Sequence, residues 1–132
     1  MSEDTEKTIK RMTAQLFRYP IDDYLSSENF SEFCRGHDLS DAWKEKLESS
    51  RDRPDLYGRD VMKNALVLFL HHVSHCRPDE FLVLFTQILA GFSQTFSLIL
   101  PLDDLKKELL LLGYADNDIE HEFTNLKIKR IK

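Results

Sequence analysis

Apolar residues recur at helical spacing along most of the chain. Ile9, Met12, Leu16 and Tyr19 fall on one face of a helix predicted over Asp4–Tyr19. Pro20 ends it, because the residue before a proline is pushed out of the α region. Ser26 or Ser27 can cap a short second helix carrying Phe30, Phe33 and Cys34, with Gly36 as its stop. Asp38 or Ser40 caps a third, whose core face is Leu39, Trp43 and Leu47. Ser49–Gly58, with its Arg-Asp-Arg-Pro run and lone glycine, reads as a loop.

The next two segments are the most apolar. Met62, Leu66, Phe69, Val73 and Cys76 form one seam of a helix predicted over Arg59–Cys76, and Val61, Ala65, Leu68, His72 and His75 a second. Pro78 suits the first turn of the following helix, Asp79–Ser97. That helix carries the seams Leu82, Phe85, Leu89, Phe92, Phe96, Ile99 and Phe81, Leu84, Ile88, Leu98, and Pro101 is read as its stop. Asp103 and Asp104 suit the first turn of a sixth helix with core face Leu102, Leu105, Leu109 and Leu112, closed by Gly113. A seventh starts near Asp116 and buries Ile119, Phe123 and Leu126, and the basic tail 127–132 is expected to fray. The pattern predicts an all-α fold, a compact single-domain bundle of about six to seven helices over residues 1–132, with Arg59–Cys76 and Asp79–Ser97 as its inner pair.

Composition agrees. A chain of 132 residues is one domain's worth, and 42% hydrophobic residues with nine Phe can fill one core. Four Gly and four Pro are too few for a hairpin-rich sheet. Phe81 to Leu102 has no charged residue over 22 positions, long enough to span a bilayer. Thr86, Gln87, Ser93, Gln94, Thr95 and Ser97 dilute it, and no Lys/Arg cluster flanks it closely, so a buried central helix is the expectation and a membrane span is not. Two cysteines and a start without a basic-then-apolar leader predict a reducing, cytoplasmic setting.

Charge narrows the partner. Asp22 to Leu126 holds 20 acids against 10 bases, a net of −10, while the ends are basic at Lys7, Lys10, Arg11, Arg18 and Lys127, Lys129, Arg130, Lys132. An acidic body repels phosphate, so no specific nucleic-acid binding is expected, and the basic ends suit salt-sensitive docking on an acidic surface. The last two predicted helices resemble a helix-turn-helix in length, but Asp116, Asp118, Glu120 and Glu122 would set four carboxylates against phosphate. The Leu-Gly-Tyr turn between them resembles that of ubiquitin-associated modules; the third helix of such modules is missing and nothing carries over. Asp116, Asp118 and Glu120 alternate as in a calcium loop, with His121 where an EF-hand requires Gly.

Catalytic motifs are weak. There is no Gly-x-Ser-x-Gly and no phosphate-cradling glycine loop. The Arg-to-His spacing of four to six found in small helical ribonucleases of the HEPN type is absent: Arg35 lies two before His37, and Arg59 twelve before His71. Enzyme activity is left open, with a non-enzyme favoured. Cys34-x-x-His37 and His71-His72-x-x-His75-Cys76 could supply zinc with Cys34, His37, Cys76 and either His72 or His75. The same cysteines complete apolar seams, as small buried hydrophobes do, and no Cys-x-x-Cys is present, so the expectation is no metal and no cofactor.

One stripe of the Asp79–Ser97 helix stands apart. Val83, Thr86, Gln87, Ala90, Ser93, Gln94 and Ser97 are small, amide or hydroxyl residues, where a solvated helix face uses Lys and Glu. Either the stripe is buried with its amides hydrogen-bonded internally, or it is an uncharged docking face for a protein chain, self or hetero, with Gln87, Ala90, Ser93, Gln94 and Ser97 as contacts. The leading expectation is a non-catalytic interaction module: an adaptor, regulator or small subunit of an assembly. The alternative is a metal-binding or thiol-based regulator using the Cys/His group.

Overall fold

In the computed structural model, which describes residues 2–126 and 128 with side chains from residue 4, the fold is all-helical. Among the described residues eight helices follow in order: α1 Ser2–Leu16, α2 Ile21–Leu25, α3 Glu28–Gly36, α4 Ser40–Arg51, α5 Arg59–Cys76, α6 Phe81–Phe96, α7 Leu102–Leu111 and α8 Asp116–Asn125. No helix among the described residues is long and apolar enough to cross a membrane.

The element beyond the seven expected is α2. Its five residues are too few for periodicity to register, and Pro20 conceals it by reading as a terminator. Ile21, Tyr24 and Leu25, at i, i+3 and i+4, are all buried, so one helical turn after the proline drives three large side chains into the core.

The ends of the other helices obey local chemistry. Ser27 caps α3, its hydroxyl accepting from the Phe30 amide at 3.4 Å. Neither Asp38 nor Ser40 caps α4; Leu39 holds that position without a side-chain bond, and Asp38 instead takes a left-handed φ of 57° to turn the chain. α6 stops well before Pro101. Ser97 is its left-handed C-cap, and the Ser93 hydroxyl donates to the Leu98 carbonyl at 2.6 Å across the turn. That turn puts Ile99 outside, 51% exposed, off the seam where the sequence placed it.

α6 is the centre of the molecule: ten of its sixteen residues are buried, against six of eighteen in α5. The expected inner pair is therefore unequal. α5 packs on α1 and α4 and keeps an outer face bearing His71, His72 and His75, while α6 lies against α3 and α8, with α2 wedged among α3, α5 and α6. Phe30, Trp43 and Phe69 meet edge to face, with centroids 5.1 Å apart for Phe30–Trp43 and 5.4 Å for Trp43–Phe69. Trp43 is half-buried at the rim of this cluster, whereas Leu66, Phe69, Phe85, Leu89 and Phe92 are fully inside. α1 is tied to α7 by Arg11, whose guanidinium donates to both Glu108 carboxylate oxygens at 3.0 and 3.1 Å and to the Thr8 hydroxyl.

Candidate functional site

The uncharged stripe of α6 divides when folded. Thr86, Ala90 and Ser93 are buried, at 0%, 7% and 3% exposure. Thr86 donates to its own helix at the Leu82 carbonyl, 2.9 Å away, and Ser93 closes the helix end. Each hydroxyl spends its proton on a backbone carbonyl, Thr86 in the preceding turn and Ser93 just past the helix end, so these two are satisfied in place. Ala90 and Ser93 are covered by the chain's own helices, so of the expected contacts these two are buried. Gln87 is half-buried, and Gln94 and Ser97 are exposed.

Gln87 and Gln94 are seven residues apart, two helical turns, and therefore look the same way. They form one wall of an open groove of about 520 Å³ with Gly91 and Thr95 of α6; Asn29, Glu32 and Phe33 of α3 form the other wall. Asn29 donates its side-chain amide to the Thr95 hydroxyl at 3.0 Å, latching α3 to α6 at the groove's edge. Tyr24 of α2 completes the lining from beneath, its ring packed against Phe30 and Phe92 at centroid distances of 5.6 and 5.7 Å. Burial, with a lesser contribution from the nearby Cys34, pushes the Tyr24 phenol up to about 12, so it stays a neutral hydroxyl.

Tyr24, Asn29, Glu32, Phe33, Gly91 and Thr95 were not among the sequence-derived contacts. The available signal was Gly91: a glycine inside a strongly apolar helix marks a close approach of another group. The missing turn α2 hid what that group was.

The cysteine and histidine residues disperse. Cys34 is buried among the aromatics of α2 and α3, and burial pushes its thiol up to about 12. Cys76 is exposed at the end of α5, with Sγ 3.7 Å from His72 Nδ1. His37 packs its ring on Phe33 at 4.8 Å, and its carbonyl accepts from Arg77 at 2.6 Å. His75 is exposed. Among the described residues no three or more His, Cys, Asp or Glu side chains come together as a metal-ligand group. Of the proposed zinc set, His72 and Cys76 are brought together on the last turn of α5.

A second cleft of about 350 Å³ lies between the start of α6 and α8, bordered by Asp79, Asp118, His121 and Glu122. Burial raises the Tyr114 phenol there, with a smaller push from Asp79. A third, of about 290 Å³, lies between α1 and α5, where Lys10 and Lys63 face Asp60. On the basic face of α1, Arg11 is taken up by Glu108 and Lys10 pairs with Glu6 at 3.4 Å. The basic tail Lys127, Lys129, Arg130, Lys132 lies outside the described residues.

No family model, curated protein or solved structure matches this chain. The α3/α6 groove offers amide, hydroxyl and carboxylate groups on a wall between two helices; the second cleft offers carboxylates, and the third a mixed set. The first is lined by Gln87, Gly91, Gln94 and Thr95 of the uncharged central helix, and the second meets that helix only at its first turn, at Leu82 and Val83.

Proposed function

We propose that this protein is a non-catalytic protein–protein interaction module, serving as an adaptor, regulator or small subunit in a reducing, cytoplasmic setting, and that the α3/α6 groove is its contact face. One observation carries the reading. The charge-free central helix, which ought to be covered on every side, presents Gln87, Gly91 and Gln94 to an open groove. A solvated helix face draws on Lys and Glu; a face of amides beside a bare glycine suits close approach by another chain. Gln side chains can donate and accept at once, which fixes the register of a polypeptide laid against them.

A photoreactive benzophenone amino acid at position 94, with position 44 on the exposed side of α4 as control, tests this in the cell. The expected result is a discrete crosslinked species from 94, either a second copy or one other protein, and none from 44. Native mass spectrometry then gives the stoichiometry. Identical crosslinking from both positions, or none from either, would remove the reading.

The alternative, a metal or thiol regulator, draws on one contact, the His72–Cys76 pair on the last turn of α5. Metal analysis of purified protein separates the two. A stoichiometric zinc signal lost in Cys76→Ser would promote the alternative.

A further inference from the structure

We draw no further inference here: the strongest candidate, the cleft between the start of α6 and α8 where Asp79, Asp118 and Glu122 stand beside Leu82 and Val83, is a surface cluster of acidic residues, and nothing in the structure shows what covers it.

Discussion

The Tyr24 hydroxyl lies where a side chain at position 91 would begin, so Gly91 and Tyr24 fit only as a pair. Gly91→Ala should gain about 1 kcal/mol of helix propensity and lose about 1–3 kcal/mol to overpacking. The clash dominates because the Tyr24 ring is held between Phe30 and Phe92 and cannot swing away. Gly91→Ala should therefore destabilise, and Tyr24→Phe, which deletes the offending oxygen, should restore most of the loss. The measurement is a double-mutant cycle in urea, with a coupling of about 1 kcal/mol or more expected. Additive effects would mean the two residues do not constrain each other.

The division of the α6 stripe has opposite consequences at neighbouring positions. Ala90 is 7% exposed, so Ala90→Glu places a carboxylate in the core and should cost about 2 kcal/mol or more. Gln94 is exposed, so Gln94→Lys should change stability by no more than about 0.5 kcal/mol, while abolishing any assembly that uses the groove. Denaturation curves and light scattering on the two variants check this. A stable Ala90→Glu monomer with altered assembly would return Ala90 to the interface.

Of the seven longer helices most were legible because they repeat their apolar residues over two turns or more, as Leu82, Phe85, Leu89 and Phe92 do, while α3, with Phe30, Phe33 and Cys34 on one turn, was marked by Ser27 before it and Gly36 at its end. α2 was not, since a single turn following Pro20 carries no period. That one omission hid the groove. Without α2 there is no Tyr24 beneath α6, and without Tyr24 the glycine at 91 has no explanation. Pairwise meetings across long separations, such as Asn29 with Thr95 or Arg11 with Glu108, have no local trace in a sequence. The Cys/His cluster illustrates the converse. Its spacing was visible, but Cys34 belongs to a buried aromatic nest and Cys76 to an exposed helix end, a distinction that only packing makes. Ile99 was misplaced for a related reason: the seam was extended past Ser97, where a left-handed residue breaks the helical period.

The centre of the core should be the least tolerant region. Phe85 and Phe92 on α6 are 1% and 0% exposed. Truncating either to Ala should cost about 3–5 kcal/mol, a large share of the roughly 5–15 kcal/mol that a domain has in total. Thermal melts of Phe85→Ala and Phe92→Ala should fall well below the parent, and Phe92→Ala should also loosen Tyr24, whose ring it supports. A parental melting temperature in either variant would mean that the wrong face of α6 has been assigned to the interior.

Arg11 and Glu108 should behave asymmetrically. Arg11→Met strands a nearly buried carboxylate that now holds two charge-assisted bonds, whereas Arg11→Met combined with Glu108→Leu removes both charges and adds apolar volume between α1 and α7. The double variant is expected to melt above the single one. A double variant that melts below Arg11→Met would show that the pair supports the α1–α7 contact in some way beyond neutralising Glu108.

Alkaline pH should expose the burial of Cys34 and Tyr24. Burial holds the Cys34 thiol protonated up to about 12, against an ordinary 9.0, and holds the Tyr24 phenol to about 12, against 10.0. In the unfolded chain both groups ionise at their ordinary values. Above pH 9 the unfolded state therefore sheds protons that the folded state must keep, and unfolding becomes more favourable with each step in pH. The stability these groups contribute is complete below about pH 9 and is lost as pH rises toward 12. Urea midpoints should be flat from pH 7 to 9 and fall beyond it, and the fall should be shallower in Cys34→Ala and shallower again with Tyr24→Phe added. The same burial makes a kinetic statement that can be checked at pH 8. A thiol-specific chromogenic reagent should react promptly with one thiol per chain, the exposed Cys76, and reach Cys34 only when the chain is unfolded. Prompt reaction of both thiols in Cys76-intact protein, or of the remaining one in Cys76→Ser, would mean that the α2–α3 corner opens readily. A Tyr24 mobile to that degree could not serve as the fixed floor of the groove.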